Sequence, residues 1–268
     1  MASGLEIAPL TEADLPAERR LLNSVGLQGG AANVTRYQRW EPDGAWKLTQ
    51  ADQLIAMVTL LRQGEVGFVG CMAVQATLQG RGHGAALLEH AHGWGVRHGV
   101  STFLLEATSE GEPLYRKLGY VVDYESVIFA RSATGVAATT QIAETDQEAI
   151  LALDRAATGC TRDTMLGALL SGFPGHVIRA ADIVGYGLAV DDRLGPVIAK
   201  DAGAGRALVE GLAPGCTTAV TPLVNEASCA ALGALGFVQA RLLKRMRLGA
   251  PIPVHPTWIW ALASPGAG

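Results

Sequence analysis

The sequence predicts an α/β protein of two tandem domains, and three observations lead to that prediction. Short runs typical of strands alternate with longer runs of helical spacing. A glycine-rich loop joins one of these strands directly to a helix. After small residues at 131–140, which have the composition of a linker, the same order of elements repeats. We place the boundary there and expect domains at 1–133 and 134–268, which agrees with a length of 268 residues.

The first domain is predicted to begin with a helix and to continue as a meander. Residues 14–27 have helical spacing. Three short strands joined by turns follow, at residues 45–50, 53–62 and 65–74. The last strand leads directly into the glycine-rich loop.

That loop, Gln79–Gly84, is the most informative feature of the chain because it lies between an apolar strand and a helix. Such a turn leaves backbone N–H groups unpaired, and glycine lets an anion approach them closely. The pattern predicts a phosphate or pyrophosphate ligand at the surface. It matches neither GxxxxGK[ST] nor GxGxxG, and a tight turn before a capped helix is the alternative.

A second motif follows the helix. Residues 101–107 are typical of a strand, and the sequence LYRKLGY follows at Leu114–Tyr120. Together with the order Q-x-x-G-x-G at 79–84, this arrangement resembles the GNAT acyltransferases over about residues 5–131. The resemblance implies two tandem GNAT-like domains, each a mixed, mostly antiparallel sheet flanked by helices.

The resemblance also implies an N-acetyltransferase that uses acetyl-CoA and no metal. Tyr115 stands at the family's general-acid position, and backbone N–H groups near residues 72–74 would stabilise the oxyanion. The residues implied to bind the cosubstrate are Met72, Ala73, Val74, Gln79, Gly80, Arg81, Gly82, His83 and Gly84. The acceptor would be a primary amine on a small molecule or peptide that attacks the thioester directly. The alternative is a non-catalytic acyl-CoA sensor or interaction module.

Acyl transfer to an amine requires two proton transfers. An alkyl amine with a pKa near 10.4 arrives protonated and must lose a proton, whereas a tyrosine keeps its proton for the departing thiolate. Tyr115 suits the second role, although it could instead be a core aromatic. For the base we favour Glu106 at the end of the strand, with an ion-paired strand-end acid as the alternative. Glu65, Glu41 and Asp43 are further carboxylates in this half.

The second half repeats the plan in a more diverged form. Residues 200–209 echo the loop and helix start, and 225–237 echo the closing motif. Leu232 stands where the first half has Tyr115, and Asp201 would place a negative charge where the phosphate lies. We therefore expect a structural or substrate-shaping domain and one acetyl-CoA per chain.

Composition fits an enzyme of the cytoplasm. The net charge of −4 predicts no general attraction to nucleic acid or anionic membranes. No apolar stretch approaches the ~20 residues of a membrane span, and the N-terminal residues lack signal-peptide features. The four cysteines are spread without a CxxC pair, which favours a reducing compartment. His90 and His92 are two apart on a helix and share no face, so no metal site is expected. Nothing in the sequence indicates the oligomeric state.

Overall fold

A computed structural model of the protein describes residues 4–27, 30–135 and 142–268. In the first half the elements are β1 (Leu5–Pro9), α1 (Leu15–Ser24), α2 (Gly30–Trp40), β2 (Ala45–Gln50), β3 (Gln53–Gln63), β4 (Val66–Val74), α3 (His83–Arg97), β5 (Thr102–Ala107), α4 (Glu112–Lys117) and β6 (Val121–Ala130). In the second half they are α5 (Gln147–Thr158), α6 (Asp163–Gly172), β7 (Gly175–Arg179), β8 (Ile183–Val190), β9 (Arg193–Ala199), α7 (Ala202–Leu212), β10 (Thr218–Pro222), α8 (Glu226–Ala234), β11 (Val238–Leu248) and β12 (Ile259–Ala261). None of the described helices has the length and apolar character needed to cross a lipid bilayer.

The predicted elements of the first half are present within a few residues, but the sequence did not reveal α2. This helix carries Asn, Thr and aromatic residues of modest helix propensity, and it is fixed by burial of Val34 and Tyr37. Part of the predicted linker, residues 136–141, lies outside the described residues.

All twelve described strands belong to one sheet, and its order joins the two halves of the chain. The order is β1-β2-β3-β4-β5-β11-β6-β10-β9-β8-β7, with β12 paired to β9. The pairs β4–β5 and β9–β10 are parallel and the rest are antiparallel, which confirms the predicted mixed, mostly antiparallel sheet. Strand β11 of the second half lies between β5 and β6 of the first. Each half therefore completes the sheet of the other.

The helices lie on two faces of this sheet, as the alternation along β5 shows. Phe103 and Leu105 pack against Leu87 and Leu88 of α3. Leu104, between them, belongs to the core on the opposite face, which also contains residues of α5 and α6. Because successive strand residues point to opposite faces, α3 and α5 lie on different sides of the sheet.

The other helices divide between the same two faces. On β6, Val127 and Phe129 pack in the core of α7 and α8, whereas Ile128 between them packs with the core of α5 and α6. In the first half, α1 and α2 cover Met57 and Ala73, and α3 covers the neighbouring Val58. One face therefore carries α3, α4, α7 and α8, and the other carries α1, α2, α5 and α6.

The final segment, residues 264–268, returns to the first half of the chain on the α1/α2 face. The Tyr37 hydroxyl and Ser264 Oγ are 2.6 Å apart in a buried hydrogen bond. Gly70 of β4 lies so close that a methyl group added there would be 2.6 Å from the Gly266 carbonyl oxygen. The segment therefore covers β4 at its middle.

Candidate functional site

An opening between β4 and β5 is the central feature of the first half. The two strands pair in parallel at Val66–Thr102, Gly67–Phe103 and Phe68–Leu104, and no pair follows within the described strands. Beyond Phe68, β4 stays paired with β3 while β5 pairs with β11. The strands thus diverge and leave a gap in the sheet toward their carboxyl ends.

A bulge in β4 lies at this gap. Between the pairs Thr59–Gly70 and Met57–Ala73, β4 contributes one residue more than β3, and Cys71 has a positive φ of 47°. Cys71 and Met72 have no partner in this register. A bulge releases backbone groups from the ladder and turns the strand. Of the predicted oxyanion donors, Met72 therefore lies in the bulge, while Ala73 and Val74 have β3 partners, Met57 and Ala56.

The glycine-rich loop follows β4 after a short 3-10 turn. Gln79 donates from Nε2 to the carbonyl of Val74 at 3.1 Å, which fastens the loop to the end of the strand. Gly80 and Gly82 have φ of 76° and 86°, where side chains are strongly disfavoured. A methyl group at either glycine would have no neighbour within 4 Å among the described residues. The space in front of the loop is open.

Helix α3 begins at His83, and no side chain caps its first turn. The N–H groups of a helix's first turn have no partner within the helix and favour an anion. Arg81 donates to the Thr77 carbonyl at 3.3 Å, so its guanidinium lies beside the same loop. The geometry suits the predicted pyrophosphate ligand.

Gly84 differs from the other two loop glycines. We expected the loop to lie at the surface, but Gly84 is buried. A methyl group there would lie 3.0 Å from Leu114 Cδ2 and 3.1 Å from Met72 Cε. This glycine brings α3 close to β4 and α4, so its role is at least partly one of packing.

Tyr115 lies on the α3 face of the sheet, in α4. It is 7% exposed and packs with Leu105 and Ala107 of β5. Its ring meets Tyr120 edge-on at 5.7 Å between centroids. Burial raises the pKa of Tyr115 well above its usual value, so the hydroxyl keeps its proton throughout the neutral range. The protonated hydroxyl is compatible with the predicted general acid, and that role stays a prediction.

Glu106 lies on the opposite face, beyond the point where β4 and β5 separate. Its carboxylate is fully buried and accepts a hydrogen bond from Arg245 of β11 at 3.2 Å. The Arg245 guanidinium also lies over the Phe68 ring at 4.8 Å. Burial raises the pKa of Glu106, and Arg245 opposes that rise. These contacts favour the ion-paired alternative, and the role of Glu106 as a base stays a prediction.

The remaining sequence candidates lie away from the gap or have other partners. Glu41 forms a two-bond ion pair with Arg62, at 2.6 and 3.0 Å. His92 bonds the Tyr120 hydroxyl at 2.8 Å, and burial lowers the pKa of His92 to about 4. Within the described ranges, no three His, Cys, Asp or Glu side chains come together as a metal site.

The matching region of the second half is filled by protein. Strands β9 and β10 also pair only at Arg193–Thr218 and Leu194–Ala219, and β12 then lies against β9. The Asp201 side chain accepts from the Ala204 N–H at 2.9 Å and caps α7.

Trp260 of β12 completes this closure. A methyl group at Gly205, the residue of α7 that corresponds to Gly84, would lie 1.9 Å from the Trp260 indole. Trp260 occupies the place that is open in the first half.

Two family models match the chain. One described as "Acetyltransferase (GNAT) domain" matches residues 42–122, and a second with the same description matches residues 150–261. Together the matched ranges include the strand pair β4–β5, which opens into the gap, and the pair β9–β10, where Trp260 fills the corresponding place. The chain belongs to the GNAT acetyltransferase family. It is a tandem member whose second domain has diverged, and it is an acyltransferase.

Solved structures show the same GNAT fold over the whole chain. A protein of Pyrococcus horikoshii that is provisionally named an acetyltransferase is 21% identical and has a TM-score of 0.85, over 99% of this chain and 96% of that one. A GCN5-related N-acetyltransferase from Sphaerobacter thermophilus is 16% identical with a TM-score of 0.65, over 93% and 98% of the two chains. No curated protein matches the chain.

One buried acid on the helix that packs against β3 and β4 was not found from the sequence. Glu18 of α1 is fully buried, and both carboxylate oxygens have no hydrogen-bond partner among the described residues. In the sequence it stands beside Arg19 and Arg20 and has the pattern of an exposed helix position.

Proposed function

We propose that the first half binds one acetyl-CoA and transfers its acetyl group to a primary amine on a small molecule or peptide. The observation that carries this proposal is the open gap between β4 and β5, with an uncapped helix and two open glycines at its end. The pyrophosphate would bind the N–H groups at 81–84, and the thioester would extend along β4. The residues supporting that placement are Met72, Ala73, Val74, Gln79, Gly80, Arg81, Gly82, His83 and Gly84.

The chemistry would be direct attack on the thioester. Backbone N–H at the β4 bulge would stabilise the tetrahedral oxyanion, since preorganised donors are usually the largest catalytic contribution. Tyr115, which keeps its proton at neutral pH, would give that proton to the departing thiolate. Glu106 is the carboxylate that the sequence predicts for removal of the amine proton.

The second half would support this site without binding a second acetyl-CoA. Asp201 caps α7 and Trp260 covers Gly205, so the corresponding anion site and gap are occupied. Strand β11 contributes Arg245 beside Glu106, which links residues 134–268 to the site in 1–133. The four cysteines are free thiols, in keeping with a reducing cytoplasm.

Release of free thiol from acetyl-CoA tests the proposal. Benzylamine, tyramine, glucosamine, lysine amide and alanine amide form a panel that varies the size and charge around a primary amine. We expect turnover with at least one amine and none when the amine is replaced by its alcohol. Tight acetyl-CoA binding with no turnover on any amine would support the sensor alternative instead.

A further inference from the structure

We propose that Glu18 of α1 is the catalytic base that accepts the proton of the attacking amine. This inference rests on the proposed function, because it assigns a step within the same transfer. Neither the sequence motif nor the glycine-rich loop includes this residue.

The two substrates of a direct transfer must meet at the thioester from different sides. The acetyl-CoA loop, α3 and Tyr115 lie on one face of the sheet. The amine would then approach from the face of α1 and α2, past the segment 264–268 that covers β4 at Gly70. Glu18 lies on that face, in the helix that packs its buried Leu21 and Leu22 on Met57 and Ala73.

Glu18 is close to the point of attack. Its charge acts on the Cys71 thiol and contributes to raising the pKa of Cys71 to about 12, after the larger effect of burial. Cys71 is the bulged residue of β4, and its neighbour Met72 is a predicted oxyanion donor. Cys71 packs against the core that contains Leu21 and Leu22 of α1, so the helix that carries Glu18 lies beside the bulge where the thioester carbon would be.

A fully buried carboxylate without a hydrogen-bond partner is costly to keep. Natural sequences retain such groups where they act, since strained and unsatisfied groups concentrate at functional sites. Glu106, the other buried acid on this face, is instead held by Arg245. Both carboxylate oxygens of Glu18 lack a partner among the described residues, whereas Glu106 Oε1 is held by Arg245 and its Oε2 alone lacks one.

The surroundings also tune Glu18 for proton transfer near neutral pH. Burial raises the pKa of Glu18 to about 7, and the charge of Arg19 opposes the rise. On β4, Cys71 packs against the same core as Leu21 and Leu22 of α1, and on β3 that core contains the uncharged Met57. Beyond Cys71, the charged or titratable groups are Tyr37 of α2 and Arg193 of β9. A base with a pKa near the working pH combines ionisation with proton affinity.

The ammonium first loses one proton to solvent, which gives the free amine. The nitrogen lone pair of that amine forms the C–N bond, and the nitrogen loses its second proton to the Glu18 carboxylate. The C–S bond breaks, and the sulfur takes the Tyr115 proton. Glu18 then releases its proton to solvent and Tyr115 regains one, so the products are the amide and the free thiol of CoA.

A route for the amine lies along the same helix. A surface cavity of about 500 Å³ has one wall formed by Ala17 and Leu21 of α1. Its other wall includes Leu54 of β3 and Gln75, which directly follows β4. Glu18 lies between these two α1 residues in the sequence and is fully buried.

The test is the pH dependence of kcat and kcat/KM for Glu18→Gln, with the panel amine of highest turnover. We expect kcat to fall about 10²–10⁴-fold, the usual value of general base catalysis. The acidic limb of the wild-type kcat profile should disappear, while acetyl-CoA affinity stays within about twofold. Glu18→Asp should keep that limb at reduced rate. Glu12→Gln, an exposed acid just before α1, is the matched control and should keep the full rate.

Several results would overturn the inference. One is a Glu18→Gln variant that turns over at the wild-type rate with its acidic limb intact. Another is an acidic limb that is lost in Glu106→Gln and kept in Glu18→Gln, which would return the role to Glu106. If wild-type protein turns over no amine, the proposed function fails and this assignment fails with it. If the wild type turns over an amine and Glu18→Gln does so at the same rate, the assignment of Glu18 as the base is rejected and the proposed function stands.

Discussion

At the scale of single residues, three buried ionisable groups lie on the two faces of the sheet. Tyr115 lies on the α3 face, and Glu18 and Glu106 lie on the α1/α2 face. Burial raises the pKa of each, but their partners differ. Glu106 has an arginine, and Glu18 has no hydrogen-bond partner in the described part of the chain. Glu106 and Arg245 therefore fit a structural ion pair, whereas Tyr115 and Glu18 are the groups that we propose exchange protons.

Replacing Tyr115 with phenylalanine removes only the hydroxyl. We expect kcat to fall about 10²–10⁴-fold with acetyl-CoA affinity unchanged, because the proton is needed only as the thiolate leaves. Single-turnover kinetics with saturating acetyl-CoA measures this. Tyr120→Phe is the matched control, since Tyr120 is a buried neighbour whose hydroxyl binds His92. Equal rates for Tyr115→Phe and the wild type would make Tyr115 a packing residue.

Replacing Glu106 with glutamine should act mainly on stability. It leaves the buried Arg245 without its counter-charge, and breaking one partner of a buried ion pair costs about 3–5 kcal/mol. Urea unfolding measures the loss. Asp163→Asn, in the exposed pair of Arg155 and Asp163, should change stability by less than about 1 kcal/mol. A Glu106→Gln protein as stable as the wild type would show that the pair is not a structural one.

At the scale of elements, the glycines before and within its first turn set the position of α3. Gly80 and Gly82 open the loop, while Gly84 brings the helix against Met72 and Leu114. The loop, α3 and α4 were predictable because their signals are local: glycine spacing, a helical stripe and a short motif. Glu18 was not predictable as a site residue, because helical spacing alone does not show that α1 buries this side chain against the sheet.

Gly84→Val should therefore damage packing as well as binding. The added side chain would press on Leu114 and Met72, and overpacking of this kind typically costs about 1–3 kcal/mol. We expect a lower thermal midpoint in calorimetry together with weaker acetyl-CoA binding. Gly80→Asn, where the space is open, should keep the wild-type midpoint to within a few degrees. An unchanged midpoint in Gly84→Val would mean that the loop rearranges freely.

At the scale of the whole molecule, the two halves share one sheet. Strand β11 pairs with β5 from Phe103 to Ala107 and with β6 along most of its length. The repeat of motifs along the chain predicted two similar halves. It could not predict which strand completes which half, because strand pairing is set by contacts that are distant in sequence.

Separate halves should consequently not fold alone. The fragment 1–133 lacks β11, so the facing edges of β5 and β6 would have no partner, and exposed edges of this kind lead to aggregation. We expect it to be unfolded or aggregated by circular dichroism and size-exclusion chromatography. Co-expression with 134–268 should restore a soluble complex. A monomeric, cooperatively folded 1–133 fragment would contradict the shared sheet.

Calorimetric titration with acetyl-CoA tests the central claim that the loop of the first half is the single cosubstrate site. Gly82 and Gly99 have the same φ of 86°, and both have open space around them, at opposite ends of α3. Asparagine tolerates this backbone conformation. At Gly82 its side chain would stand before the amides that we propose bind phosphate. We predict one equivalent per chain for the wild type and Gly99→Asn, and no binding for Gly82→Asn. Two equivalents in the wild type, or undiminished binding by Gly82→Asn, would contradict the claim.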